Sequence, residues 1–191
     1  ERVAEGKASA AVLHIFCSAN HSWNIDAVKA VCAAKDVVLL HWANRNRGLV
    51  MTPSVAENVA SLSDILPWRL SQRQAGTGAQ ILFDYLLAEA GLKKEQLDLA
   101  DASHTELEAV LTLLEGKADI AFGLEHFAAK YNLAFLPLVT ESVDILVDRK
   151  MAFEPAFQAL LVFCNTDPFI KLASGFDGYD TAGLGLVRFN A

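Results

Sequence analysis

The stretch Arg73-Gln74-Ala75-Gly76-Thr77-Gly78 lies between an apolar strand pattern, Trp68 to Ser71, and an amphipathic run, Gln80 to Ala90. A strand that ends in a glycine-rich turn and passes directly into a helix leaves the first helical N–H groups without partners inside the helix. Those groups point at whatever occupies the turn. The stretch therefore predicts a strand, an anion-binding turn and a helix.

Four residues of this turn are candidate ligand contacts. Thr77 supplies a hydroxyl at the start of the helix, Gly76 and Gly78 let the backbone approach a ligand, and Arg73 carries a permanent positive charge. A simpler interpretation is a tight turn in which Thr77 only caps the helix, because short glycine motifs recur by chance. The sequence around the turn is needed to distinguish an anion-binding turn from a turn that only caps the helix.

The bulk composition fits one globular unit or two small lobes with a substantial core: 191 residues, 53% hydrophobic and 20% charged. No apolar run approaches the length of a membrane span. The net charge of −7 argues against direct nucleic-acid binding by this segment. It does not exclude an anionic ligand, because a few N–H groups and one arginine set the field of a pocket.

The three cysteines lie far apart, without a CxxC pair: Cys17, Cys32 and Cys164. Their odd number favours free thiols in a reducing compartment, which indicates a cytoplasmic location, although one disulfide and a periplasmic location remain the alternative. The chain begins at Glu1 rather than Met. We therefore expect that a signal peptide or a further domain can precede it.

Strand and helix patterns alternate along the chain, which predicts an α/β architecture with mainly parallel sheets. The continuous apolar run from Val37 to Trp42 is typical of a strand covered on both faces. The polar segment Asn44 to Gly48 is interpreted as a loop with solvated arginines. A capping box, Ser103 with Glu106, predicts the start of another helix.

Ligands of such folds collect at the carboxyl ends of the strands. Three segments fall there: His14, the turn from Arg73 to Gly78, and the segment from Gly123 to Glu125. His104, next to the capping Ser103, either caps the helix or lines the site. For His14, a packed core or loop position is the competing interpretation.

Several motifs in a fixed order give the chain a likeness to a known family. They are Arg47 to Val50, Ser61 to Ile65, Arg73 to Gly78, Leu82 to Leu87, Gly116 to Gly123, and Leu133 to Leu138. With these motifs the chain resembles, from about Glu5 to Tyr179, the periplasmic-binding-protein-like domain of molybdate-binding proteins, which is often fused behind a helix-turn-helix.

The resemblance implies a two-lobed type II solute-binding fold that holds its ligand in the cleft between the lobes. Residues 1–48 and 145–191 would form lobe I, and residues 49–144 would form lobe II with the anion-binding turn. The chain departs from the family pattern in two places. Thr77-Gly78-Ala79-Gln80 lacks one hydroxyl and the guanidinium of the family's turn. The N-terminal strand of the family is also missing from lobe I. We expect removal of residues before Glu1 to explain this better than a reduced member with an incomplete pocket, because the loss of a central strand would leave sheet edges open.

The first functional hypothesis is a non-catalytic sensor or solute receptor for an anionic ligand, either a molybdate- or tungstate-like oxyanion or a pterin-type metabolite. It needs no cofactor or metal. Its ligand contacts would be Arg73, Gly76, Thr77, Gly78, His104, His14, Gly123 and Glu125.

Two further hypotheses stay open. One is an enzyme that uses Cys17 or His104, although no nucleophile-elbow motif, paired acid and base, or metal-ligand spacing supports it. The other is an effector domain for another metabolite, or a domain that closes on a partner protein or on a second copy as a homodimer. An upstream helix-turn-helix would identify a cytoplasmic regulator, and a signal peptide would identify a transport receptor.

Overall fold

The computed structural model describes residues 2–191. Its strands are β1 Ala10–Leu13, β2 Phe16–Cys17, β3 Ser22–Trp23, β4 Val37–Met51, β5 Arg69–Arg73, β6 Asp98–Ser103, β7 Ile120–Leu124, β8 Ala134–Asp148, β9 Tyr179–Asp180 and β10 Val187–Asn190. Its α-helices are α1 Ile25–Cys32, α2 Pro53–Ala56, α3 Gly78–Glu89, α4 Glu106–Leu114, α5 Glu125–Lys130, α6 Arg149–Ala152, α7 Pro155–Cys164 and α8 Asp167–Ala173. None of these helices is both long enough and apolar enough to cross a membrane.

The chain divides into two compact units. Unit 1 comprises the residues up to Arg45 together with Glu141–Ala191, and unit 2 comprises Asn46–Thr140. The strands β4 and β8 each contribute residues to both units. The division into residues 1–48 with 145–191 and residues 49–144 stays a prediction.

Antiparallel pairing dominates the sheet of unit 1. β1 pairs with β8, where Ala10 lies opposite Val147, and β10 pairs with β4, where Val187 lies opposite Leu40. β9 also pairs with β4 in the antiparallel sense. A short separate hairpin of β2 and β3 precedes α1.

The first residues of β4 supply the core of unit 1 on both faces of the sheet. Val37 and Leu39 pack with Val28 and Cys32 of α1, while Val38 and Leu40 belong to a second apolar cluster. Successive strand residues point to opposite faces, so this run must be apolar throughout. Helices and loops therefore cover both faces of β4.

Unit 2 holds the parallel part of the fold. β5 pairs in parallel with β6 on one side and with β7 on the other, and β7 pairs with β4 in the antiparallel sense. Each parallel strand leads into a helix, α3 after β5, α4 after β6 and α5 after β7. These strand ends and helix starts lie along one side of the sheet, which we call the carboxyl edge of unit 2.

Apolar side chains cover both faces of the unit 2 sheet. Ala121 belongs to a cluster with Val50 and Val110. The neighbouring Phe122 stacks on Phe83 of α3, with ring centroids 4.9 Å apart. Because Ala121 and Phe122 point to opposite faces, α3 and α4 pack on opposite sides of β7. This arrangement holds the starts of α3 and α4 at the carboxyl edge.

The predicted α/β architecture is confirmed, but the prediction of mainly parallel sheets is wrong. Within residues 2–191, β5 pairs in parallel with β6 and with β7, whereas β4 pairs in the antiparallel sense with β7, β9 and β10, and β1 does so with β8. A continuous apolar run indicates burial on both faces and does not fix strand direction. Val37 to Leu40 is such a run, and its partner β10 is antiparallel.

The interpretation of Asn44 to Gly48 as a loop is also wrong, because these residues continue β4 without a break. Gly48 pairs with Gly123, and Arg47 pairs with Leu124. Cross-strand hydrogen bonds satisfy the backbone of this polar segment as they do in an apolar strand. Arg47 itself is completely buried.

The glycine at position 48 is required by close approach of the chain. A Cβ atom there would overlap the carbonyl oxygen of Leu136 in β8. We expect Gly48→Ala to lower the free energy of unfolding by about 1–3 kcal/mol, because the backbone must shift to admit a methyl group.

Gly175→Ala is the matched control, since its Cβ would meet only one atom, the carbonyl oxygen of Leu172, at an ordinary 3.4 Å. Urea denaturation of the two variants measures both effects. Equal stability of the two variants would contradict the close approach of β4 and β8.

Candidate functional site

The predicted strand, turn and helix around Arg73 are all present at the carboxyl edge. β5 ends at Arg73, and α3 begins at Gly78 with Thr77 as its N-cap. The Thr77 hydroxyl accepts a hydrogen bond from the backbone N–H of Gln80 at 3.3 Å and donates to the carbonyl of Gln74 at 2.9 Å. Gly76 has a φ of +83°, which favours glycine. Thr77 therefore caps the helix and closes the turn.

Gln80 belongs to this turn, although it was not among the predicted ligand contacts. It is buried, and its side-chain oxygen accepts a hydrogen bond from the backbone N–H of Arg73 at 2.8 Å. Its side-chain nitrogen donates to Asp84 at 2.7 Å. An amide thus joins the end of β5 to the first turns of α3.

The Arg73 side chain is held in place by three hydrogen-bonded contacts. Nε donates to the carbonyl of Ser103 at 3.3 Å, and Nη2 donates to the carbonyl of His104 at 2.9 Å. Nη1 lies 2.9 Å from a carboxylate oxygen of Glu106. A guanidinium has five N–H donors, so two of them remain available. The side chain is only 12% exposed.

Arg47 and Arg73 form a charge cluster with Glu106. Arg47 was not predicted from the sequence as a residue of the site. Its two terminal nitrogens donate to the two carboxylate oxygens of Glu106, each at 3.0 Å. Its guanidinium carbon lies 5.4 Å from the centre of the Phe122 ring. Glu106 therefore binds Arg47 and Arg73 together at the start of α4. The signal in the sequence was the apolar run that directly follows Arg47, which is typical of a strand.

His104 lies at the same edge, but the structure corrects the predicted capping box of Ser103 with Glu106. Ser103 is the last residue of β6, and Thr105 is the N-cap, accepting from the N–H of Glu108 at 3.0 Å. The backbone N–H of His104 donates to the Glu108 carboxylate at 2.7 Å. The box is displaced by two residues because β6 extends to Ser103. Glu106 is consequently free of a capping role and binds the arginines.

Gly123 and Glu125 also lie at the carboxyl edge, with local partners. Gly123 is buried in β7, where an added Cβ would lie 3.1 Å from a methyl carbon of Val50. Packing is thus sufficient to explain the glycine. The Glu125 carboxylate accepts a hydrogen bond from the side chain of Asn46 at 2.9 Å. Their contact with a ligand stays a prediction.

His14 belongs to unit 1, unlike the other predicted contacts. It follows β1, and its Nδ1 lies 3.9 Å from the carboxylate of Glu141, which is fully buried. The Nε atom of Arg45 donates to the same carboxylate at 2.6 Å. Its role in ligand binding stays a prediction.

A buried polar network in unit 1 was not predicted. Asp144 is fully buried, and it binds Nδ1 of His41 at 3.0 Å and the side-chain amide of Asn24 at 2.8 Å. The oxygen of the Asn24 amide accepts from the N–H of Ile15 at 2.6 Å. Asn24 has a φ of +64°, a conformation that asparagine tolerates better than most residues. The network joins β4, β8 and the start of α1.

Cys17, the nucleophile of the enzyme hypothesis, lies in unit 1 beside a carboxylate. The pKa of Asp26 is lowered chiefly by the side-chain amide of Asn20, and a hydrogen bond from Cys17 contributes. Reactive cysteines instead have cationic surroundings. Residues 2–191 contain no group of three or more His, Cys, Asp or Glu side chains arranged to hold a metal.

Burial separates the three thiols. Cys17 is partly exposed, whereas Cys32 and Cys164 are buried, and burial raises the pKa of the Cys164 thiol. We expect iodoacetamide at pH 8 to modify Cys17 first, and Cys164 to react faster only as the pH rises further, because the thiolate is the nucleophile. Mass spectrometry of a time course checks this order. Equal labelling of Cys17 and Cys164 in the folded chain would contradict it.

Glu106 neutralises the one fully buried guanidinium among the residues of the carboxyl edge described above. We expect Glu106→Ala to lower the free energy of unfolding by about 2–5 kcal/mol, because the buried Arg47 guanidinium loses a carboxylate that accepts two of its hydrogen bonds. Urea denaturation measures the loss.

Glu115→Ala is the matched control, since Glu115 directly follows α4 and pairs with Lys117 at an exposed position. Its loss should stay below about 1 kcal/mol. A Glu106 variant as stable as the control would show that the buried ion pair contributes little.

Curated relatives of the chain share about a quarter of its residues. The uncharacterized protein YvgK of Bacillus subtilis (strain 168) is 25% identical over 186 residues, which are 96% of this chain and 60% of that protein. An uncharacterized protein encoded in the 5′ region of the ferredoxin 2Fe-2S gene of Clostridium pasteurianum is 26% identical over 109 residues, 56% of this chain and 96% of that protein. The chain thus spans about three fifths of the length of YvgK.

Solved structures share the fold at low sequence identity. The CcmR regulatory domain of Synechocystis PCC6803, in complex with 2-PG, has a TM-score of 0.62 at 9% identity, over 85% of this chain and 74% of that one. The effector-binding domain of QuiR, in complex with shikimate, has a TM-score of 0.59 at 15% identity, over 85% and 72%. The periplasmic aliphatic sulphonate binding protein SsuA of Escherichia coli has a TM-score of 0.52 at 16% identity, over 84% and 55%.

These neighbours are regulator domains and solute-binding proteins of the type II periplasmic-binding-like fold, in agreement with the architecture described above. The family comparison covers most of the chain, since residues 1–165 match the family described as the PBP superfamily domain. The chain therefore belongs to the PBP superfamily domain family.

Proposed function

We propose that the chain is a non-catalytic domain that binds a small anionic ligand at the carboxyl edge of unit 2. The observation that carries this proposal is Arg73, a nearly buried guanidinium with two N–H donors left over. It lies at the end of a parallel strand, where ligands of α/β folds collect. The start of α3 follows it in the chain and adds helical N–H groups.

Arg73 is suited to this task because it is already ordered. Two backbone carbonyls and the Glu106 carboxylate fix its guanidinium, so a ligand does not have to immobilise a flexible side chain. The remaining N–H donors form a fork that matches a carboxylate or another oxyanion. The bracing contacts and the ligand contact therefore use different donors of the same group.

Charge at the carboxyl edge favours a ligand with few negative charges. Arg47 and Arg73 share the carboxylate of Glu106. Glu108 and Glu125 add carboxylates at the starts of α4 and α5, each bound to a neutral donor. A doubly charged oxyanion such as molybdate or tungstate is repelled more strongly than a singly charged metabolite. Of the oxyanion and the pterin-type metabolite, the pterin-type metabolite is the better match. A singly charged carboxylate metabolite meets the same requirement.

The structural neighbours support ligand binding as the general role. CcmR and QuiR domains bind 2-PG and shikimate, and SsuA binds aliphatic sulphonates, by the names of those structures. We propose that this chain acts as the effector domain of a cytoplasmic transcription regulator with a helix-turn-helix module, and forms a homodimer. CcmR, QuiR and the Cbl transcriptional regulator are the neighbours that favour this role.

A solute receptor is the second form of the same binding function. SsuA and a periplasmic substrate-binding protein of an ABC transporter from Coxiella burnetii are the neighbours that favour it. Catalysis by Cys17 receives less support, because Cys17 forms a hydrogen bond with the carboxylate of Asp26, whereas reactive cysteines have cationic surroundings. Among the neighbours, an ancestral amino-acid-binding protein is described as a precursor of cyclohexadienyl dehydratase.

A thermal-shift screen tests the binding proposal. The chain is heated with molybdate, tungstate, sulfate, phosphate, a pterin and shikimate. A ligand at 100 times its dissociation constant adds about 2.7 kcal/mol of stability, which corresponds to a rise in Tm of roughly 5–10 °C for a chain of this size. We expect the largest rise with a singly charged metabolite.

Two variants of β5 locate the site. Arg73→Gln removes the proposed ligand contact, and Arg69→Gln removes an exposed arginine from the other end of the same strand. We expect the ligand-induced rise to fall by more than half in the first variant and to persist in the second. Each rise is measured against the same variant without ligand, which corrects for any stability change. No rise with any compound, or equal rises in both variants, would overturn the proposal.

A further inference from the structure

Unit 1 contains a cavity of about 350 Å³ that is separate from the carboxyl edge of unit 2. Its walls come from β4, from the segment around α6 and α7, and from β10. Most of the lining is apolar, and small-ligand sites have volumes of roughly 300–1,000 Å³. The residues that line it include Val38, Leu40, Arg149, Leu161 and Val187.

Arg149 is the one arginine or lysine that lines this cavity. Its Nε atom is buried and has no hydrogen-bond partner among the described residues. The adjacent carboxylate of Asp148 accepts instead from the backbone N–H groups of Lys150 and Met151, at 2.9 Å and 3.1 Å. A buried donor of a charged group that lacks an acceptor is destabilising. Arg149 lines the cavity, so an acceptor bound there would pair with the guanidinium to which this donor belongs.

A carboxylate is the acceptor that a guanidinium binds best, because two parallel N–H donors match its two oxygens. The rest of the wall selects for an apolar body. Val38 and Leu40 form one side, on a cluster that continues into Ile145 and Val147, and Leu161 of α7 forms another. A molecule with a carboxylate at one end and a hydrocarbon chain at the other satisfies both parts.

We propose that this cavity is a second ligand site, which binds small monocarboxylates with an aliphatic body through Arg149. The carboxylate pairs with the guanidinium, and the chain lies against Val38, Leu40 and Leu161. The site does not depend on the anion proposed for unit 2, because the two sites share no residue.

Isothermal titration of the chain with butanoate, hexanoate and octanoate tests the proposal. Burial of each additional methylene group should raise the affinity about fourfold until the cavity is filled. Octanamide, which has the same chain and no charge, should bind at least tenfold more weakly than octanoate. This comparison uses the unaltered chain, so it does not depend on the folding of a variant.

Arg149→Gln removes the charge, and Lys150→Gln is the matched control, because Lys150 is the exposed neighbouring cation and does not line the cavity. We expect octanoate affinity to fall at least tenfold in the first variant and to change less than twofold in the second. Circular dichroism confirms that both variants are folded.

Three results would overturn the proposal. One is the absence of octanoate binding at millimolar concentration. Another is equal binding of octanoate and octanamide, which would indicate adsorption to exposed apolar residues such as Phe153. The third is unchanged affinity in a folded Arg149→Gln variant.

Discussion

The arrangement of unit 2 depends on one electrostatic constraint, the neutralisation of Arg47. This guanidinium is fully buried, and a charge in such a position is tolerated only with a well-aligned partner. Glu106 provides that partner with two hydrogen bonds. The pairing fixes the first turn of α4 against β4, and α4 in turn places the same carboxylate within reach of Arg73. The fixed position of Arg73 in the candidate site is therefore a consequence of the burial of the neighbouring Arg47 charge.

Unit 1 solves the same problem with different groups. Its buried carboxylate, Asp144, is surrounded by an imidazole, an asparagine amide and the hydroxyl of Ser142. Buried polar groups of this kind stabilise a fold only when each member has a partner. The network ties the end of β8 to the middle of β4 and to the segment before α1. Each unit thus has a buried charged side chain, Asp144 in unit 1 and Arg47 in unit 2, with partners from distant parts of the chain.

The sequence was sufficient for the elements whose signals are local. The glycine turn with Thr77 predicted both the end of β5 and the start of α3, because a cap and a positive φ are properties of a few consecutive residues. Prediction from the sequence was wrong for elements whose structure depends on residues far away in the chain. Asn44 to Gly48 has a loop-like composition, and only pairing with β7 and the ion pair to Glu106 make it a strand. The predicted strand direction was wrong for the same reason, since the partner strand determines whether a pair is parallel or antiparallel.

Asn24 restricts what the chain can carry at other positions. Its amide accepts from Ile15 at one end and donates to Asp144 and to the carbonyl of Ser142 at the other. Glycine would keep the backbone conformation but lose every one of these bonds, while aspartate would place a second carboxylate against Asp144. We therefore expect positions 24 and 144 to covary: a homologue that replaces the amide should change the buried acid as well, and aligned sequences can test this.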